Sequence, residues 1–193
     1  MQAILDLWLP ILLTTVGTFF FSFVTWALLP FHNADFQGLP DEDGFLSWMR
    51  SKSPKPGMYC FPKVDWNEMK DPAKKERYTQ GPHGVMTIWP GVPNMARNMF
   101  LTVVFFFVAA VFIAYITAES RAYGADFASV FQIAATVGLM TYCFASIPNA
   151  IWFGKTGRAV VLELIDGVVY AVIAGVAFAA LWPSDIANPI VGQ

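Results

Sequence analysis

The chain has 193 residues, of which 56% are hydrophobic and 13% charged, and its mean hydropathy is +0.50. A soluble domain carries about 25% charged residues, so this balance points to an integral membrane protein and excludes a large soluble enzyme domain. The formal charge of -2 averages over unequal regions; no long run of like charge occurs, and the basic cluster Lys74, Lys75 and Arg77 is offset by Asp71 and Glu76, so nucleic acid is not an expected partner.

Four apolar stretches of about twenty residues each are long enough to cross a bilayer as helices, and they are continuously apolar rather than alternating, which argues against a barrel. The first covers about Ile4 to Leu29 and is closed by Pro30, with Trp8 and Trp26 near its ends. It lacks the basic leader and A-x-A site of a secretory signal and is expected to stay as a helix. The second covers about Met99 to Ala118. The third covers about Phe127 to Ile147, where Pro148 removes a backbone donor and kinks or ends the helix. The fourth covers about Leu162 to Trp182, closed by Pro183. The expected fold is all-α: a four-helix membrane bundle divided into helix 1 (1–30), an insert (31–97), helices 2 to 4 (98–183) and a tail (184–193).

An even number of spans puts both termini on one face with the Glu119 to Asp126 loop. That face carries Arg121, whereas Arg97, Lys155 and Arg158 flank the membrane on the other, together with the bases of the insert. Positively charged flanks stay inside, so the insert is expected to be cytoplasmic and the termini outside.

Within the insert, Asp41-Glu42-Asp43 followed by Phe45, Leu46, Trp48, Met49 and Arg50 predicts a short helix with charges matched to its dipole. Met58 to Phe61 and Val85 to Trp89 predict short strands flanked by Gly and Pro, with a polar helical turn from Asp71-Pro72 to Arg77 between them. An insert of this size buries little, so its aromatics are expected to rest on the bundle or on a partner. Cys60 in the insert and Cys143 in the third span are expected as free thiols.

Gly167, Ala171, Gly175 and Ala179 recur at four-residue spacing in the fourth span and predict a face for close helix packing, within the bundle or against another membrane protein. Glu163 and Asp166, three apart, share one helix surface near the cytoplasmic boundary. Charges there need partners, and Arg97, Lys155 and Arg158 are the expected ones; the functional alternative is a proton or cation site, with Asp166 favoured because it is deeper. Thr14, Thr18, Ser22 and Thr25 in the first span, and Gln132, Thr136, Thr141 and Ser146 in the third, offer polar groups that hydroxyls more often spend on their own backbone.

His32, Asp35 and His83, with Asp41, Asp43 or Cys60 nearby in sequence, are possible metal ligands by type, but no ligand spacing motif joins them. Two histidines, neither within a span, exclude bis-histidine haem, and no cofactor is expected. Gly154-Lys155-Thr156 lacks the upstream glycine of a phosphate loop and reads as an interfacial turn.

Pro30-Phe31-His32 through Asp43, Gly57-Met58-Tyr59-Cys60-Phe61-Pro62 and Gly81-Pro82-His83-Gly84 together resemble a pattern in uncharacterised small bacterial membrane proteins. The resemblance implies a bacterial inner-membrane location and transfers no catalytic or binding residue. Taken together, the residues favour a non-enzymatic accessory or scaffold subunit that packs through its fourth span on itself or a membrane protein partner in lipid. The alternative is a small oligomeric transporter or channel using Asp166 and Glu163.

Overall fold

The computed structural model describes residues 5–184, which form two compact units. The first takes in the chain up to Phe36, Met95–Pro148 and the chain from Thr156 onward; the second is Gln37–Asn94 with Asn149–Lys155. The polar unit therefore begins at Gln37 rather than at 31, because 31–36 folds back onto the helices. The tail from 185 lies outside the described residues.

In the first unit, α1 (Trp8–Phe23) continues without interruption into a π-helical turn, Val24–Leu28. Pro30 stops it, and a 3-10 turn follows at Asn33–Asp35. α4 (Met95–Ser120) is reached after the polar unit, whose own elements are two short helices and two strands. α5 (Phe127–Cys143) follows, N-capped by Asp126, whose side chain accepts from Ser129 N at 3.0 Å. The last helix, α7 (Gly157–Ala180), is N-capped by Thr156. It starts about a turn before the expected Leu162, because a capping hydroxyl satisfies its orphan donors there.

Among the described residues, four segments are long and apolar enough to cross a membrane: Trp8–Leu28, Met95–Ser120, Phe127–Phe153 and Gly157–Ala180. The third is not one straight helix. α5 stops at Cys143, and a short α6 (Ser146–Phe153) resumes after Phe144 and Ala145. Pro148 has no N–H for the Phe144 carbonyl and its ring crowds that carbonyl, so the break falls one turn upstream of the proline rather than at Ile147.

α1, α4, α5 and α7 pack as a ring, α5 with α7 making the most extensive pair. Contacts run in opposite numerical order along neighbouring helices. A Cβ added at Gly138 lies 2.9 Å from Ala171 Cα, one at Gly167 lies 2.6 Å from Cys143 Sγ, and one at Gly175 lies 2.8 Å from Phe131. α5 and α7 are thus antiparallel and in near backbone contact along the Gly167, Ala171, Gly175, Ala179 strip, whose residues are all buried. The strip is covered from inside the chain. Small residues here let backbones meet and gain dispersion contacts, the driving force available between helices in lipid.

The unit is layered along its axis. At the N-terminal end of α1, Leu7, Ile11, Ile113, Val130 and Phe178 form an apolar core. Next comes an aromatic layer in which Tyr170 meets Phe21, Phe106 and Tyr142, with ring centroids 5.3–5.9 Å apart. The polar centre described below occupies the other end.

The second unit contains α2 (Glu42–Lys52), capped by Asp41, and an antiparallel pair, β1 (Gly57–Phe61) with β2 (Gly84–Ile88), in register from Gly57 opposite Ile88 to Phe61 opposite Gly84. Between the strands lie a 3-10 turn, Trp66–Lys70, and α3 (Pro72–Gln80). No side chain of 37–94 is fully buried. A unit this small excludes little water, as its length predicts.

Candidate functional site

The π turn ends α1 with a wider spiral, closed by Leu29 N donating to Val24 O at 2.9 Å. Widening the turn brings the consecutive residues Thr25 and Trp26 to bear on one target, Asp166 of α7. Thr25 Oγ1 donates to Asp166 Oδ2 at 3.3 Å and Trp26 Nε1 donates to the same oxygen at 3.0 Å. Single π turns inside helices occur frequently at functional sites, and here the distortion is what converges the two donors.

Pro30 then turns the chain back, so that His32 reaches the same carboxylate oxygen with Nε2 at 3.1 Å. Its ring lies flat against the Trp26 indole, with centroids 3.8 Å apart and planes 6° apart. His32 and Asp166 are 3% and 7% exposed, which for a histidine and a carboxylate means that almost no water solvates either. The other ring nitrogen, Nδ1, faces Asp35 Oδ2 at 3.4 Å, close enough for an ion pair but not aligned as a hydrogen bond. Asp35 is in turn held by Arg158 Nη1, while Arg158 Nη2 donates to the Phe31 carbonyl at 2.7 Å. The Asp35 side chain is buried, whereas that of Arg158 is half exposed. The line Arg158, Asp35, His32, Asp166 thus runs from surface to interior. Tyr170, one turn further along α7, is the next polar group, with Ser22, Thr25 and Trp26 around its hydroxyl.

A neutral imidazole carries one N–H, yet both ring nitrogens of His32 face carboxylate oxygens. With the hydrogen on Nε2, Asp166 is satisfied and the Nδ1 lone pair faces Asp35. An imidazolium gives each carboxylate a donor.

Of the cations expected to pair with Asp166, Arg158 instead holds Asp35. Arg97, Lys155 and Glu163 are each engaged in an interaction of their own. The hydroxyl stripe divides. Thr18 bonds back to Thr14 O at 2.7 Å, whereas the Thr25 hydroxyl lies 3.3 Å from both Ser22 O and Asp166 Oδ2.

His32 and Asp35 belong to the helical unit and His83 to the polar one, where its ring meets Tyr78 edge-on at 4.8 Å. Asp41 is spent capping α2, and among the described residues no group of three or more His, Cys, Asp or Glu side chains is placed to hold a metal ion. Trp26 escaped sequence reading because an indole at a span end reads as an interfacial anchor. The available signal was His32 and Asp35, three apart, directly behind the proline that closes the span.

Comparison with protein-family models, with curated proteins and with solved structures gives no match.

Proposed function

We propose that this chain is a small multi-pass protein of a bacterial inner membrane that moves protons through the His32–Asp166 centre, as a proton-linked transporter. The observation that carries this reading is one buried imidazole whose two nitrogens each face a carboxylate. With the ring neutral and its hydrogen on Nε2, a proton on Asp35 passes to His32 Nδ1 as the Nε2 proton passes to Asp166 Oδ2, so the ring is neutral before and after and the proton has moved inward by the width of an imidazole. Arg158 holds Asp35 on the outer side, Thr25 and Trp26 hold Asp166 on the inner side, and Tyr170 stands beyond it. Ionisable groups near the hydrocarbon are costly, and chains of Asp, Glu and His in such positions are the usual material of proton relays.

Arg97, Lys155 and Arg158 against Arg121 support a cytoplasmic polar unit, with the outer end of the centre on the cytoplasmic side and both termini outside. The Gly167–Ala179 strip, being covered by α5, gives no support to an accessory subunit seated on a partner through that surface.

The test is proton flux into proteoliposomes that enclose a pH-sensitive dye, driven by a potassium diffusion potential. The expected result is a flux well above that of empty vesicles, reduced at least tenfold in Asp166→Asn and in His32→Gln. Equal flux in wild type and both variants, each monodisperse in detergent, would overturn the proposal. So would a wild-type flux no greater than that of empty vesicles.

A further inference from the structure

The polar unit contains an open cleft of about 640 Å³, lined by Phe61, Trp66 and Tyr78 from the segment around the strands, by Trp152 from the end of the third membrane-length segment, and by Lys63 and His83. The volume lies within the roughly 300–1,000 Å³ of small-molecule sites, and the walls have their usual character, apolar and aromatic with a few polar groups. Trp66 is 90% exposed and Trp152 80%. Two indoles left this open on one concavity form an apolar surface that lacks a cover.

We infer that the cleft binds a single anionic phospholipid from the adjoining leaflet, with acyl chain against the aromatic walls and phosphate beside Lys63. Three observations select this occupant. First, Trp152 and Phe153 end the Phe127–Phe153 segment, and aromatic residues at a span end lie at headgroup depth, so the cleft opens where lipid is the prevailing amphiphile. This step rests on the multi-pass reading. Second, Lys63 brings a cation to the lining, while the acid there, Asp65, has its side chain engaged by the backbone of Glu68 in a capping box. Third, no side chain of 37–94 is fully buried, so the unit gains most from a hydrophobic surface brought to it.

The test uses the full chain in nanodiscs containing phosphatidylglycerol with a photoactivatable diazirine on one acyl chain, with adducts mapped by peptide mass spectrometry. The expected adducts fall on 60–69 and 150–154, at a yield at least fivefold lower in Lys63→Glu and in Trp66→Ala. Adducts on the exposed face of α4, such as Phe105 and Phe112, serve as the reference and report membrane embedding itself. Labelling of α4 with none in the cleft overturns the lipid site and leaves the multi-pass reading standing; no labelling of α4 overturns both. An excess of soluble glycerol phosphate is expected to leave cleft labelling unchanged, and full displacement by it would mean that the cleft reads a free phosphate ester and not a lipid. The wild-type map decides the matter should either variant fail to fold.

Discussion

Gly138→Ala tests the packing argument directly. A Cβ at this position meets the Ala171 backbone Cα at 2.9 Å and its Cβ at 3.1 Å. Ordinary carbon contacts lie at about 3.5–4.0 Å, so α5 and α7 must part by roughly half an ångström or more, and backbone cannot swing aside as a side-chain tip does. Overpacking of this kind costs about 1–3 kcal/mol, offset by up to ~1 kcal/mol from the better helix propensity of alanine. The expected net loss is about 1–2 kcal/mol, a fall in melting temperature of about 2–8 °C for a chain of this size. Gly157→Ala is the control, since a Cβ there meets nothing within 4 Å. It is expected to lie within about 0.5 kcal/mol of wild type or to gain slightly. Both are read by near-ultraviolet circular dichroism melts in one detergent. A Gly138→Ala protein that melts with the Gly157→Ala control would refute the claim that the strip is a backbone-to-backbone seam within the chain.

Three further outcomes follow from the geometry. Trp26→Phe keeps the ring stack on His32 but removes the Nε1 donor to Asp166, at an expected cost of about 1–3 kcal/mol, against about 0.5–1.5 kcal/mol for Thr25→Val; equal stability of Trp26→Phe and wild type in the same melts would count against the hydrogen bond. In the polar unit, the Lys74 ammonium bonded to Glu68, aided by the Asp65 backbone N–H, holds the Glu68 carboxyl below its ordinary 4.5. Its stabilising effect is present above that value and lost as pH falls through the lowered one, so a carboxyl-carbon NMR titration should move up in Lys74→Ala; no movement would sink the assignment. Tyr123, partly buried and donating to Asp6 at 3.0 Å, has its hydroxyl pushed above the ordinary 10.0, first by burial and then by that bond. Its neutral form stabilises the fold below pH 10.0, and this is lost as pH rises through the folded value. Alkaline absorbance titration should therefore show a late-ionising tyrosine that Asp6→Asn brings earlier, and an unchanged curve would refute it.

What the sequence made legible tracks the range of the forces involved. The four spans, the short helix behind the acids at 41–43 and the strand pair are local, set by hydropathy and turn chemistry, and they were readable to within a few residues. The Gly167 strip was readable as a small face. Which of two small faces meets which is a tertiary matter. Asp166 was readable because a carboxylate inside an apolar run is conspicuous. Its partners were not, since Trp26 and His32 lie 140 and 134 residues away and reach it only because a π turn and Pro30 redirect the chain. Electrostatics alone suggested the nearby arginines and lysines. The fold instead offers a buried carboxylate three donors on one oxygen and spends Arg158 on the second acid, which keeps the guanidinium at the surface where its solvation is cheap.

The seam and the polar centre are mechanically one object. α7 lies between α5, which it meets through Gly138, Gly167 and Gly175, and α1, where a Cβ at Gly17 would come within 3.0 Å of Ile173. Those contacts fix the height and rotation of α7, and therefore the position of Asp166 relative to Thr25, Trp26 and His32. Hydrogen bonds of 3.0–3.3 Å weaken steeply with a few tenths of an ångström of displacement or a modest loss of alignment. A wedge at Gly138 presses on Ala171, about one and a half turns along α7 from Asp166, and moves the helix by at least that much. The small residues of α7 thus serve the polar centre as well as the packing: they hold a carboxylate still enough for one imidazole to address it, which a seam of bulkier, more adaptable side chains would not.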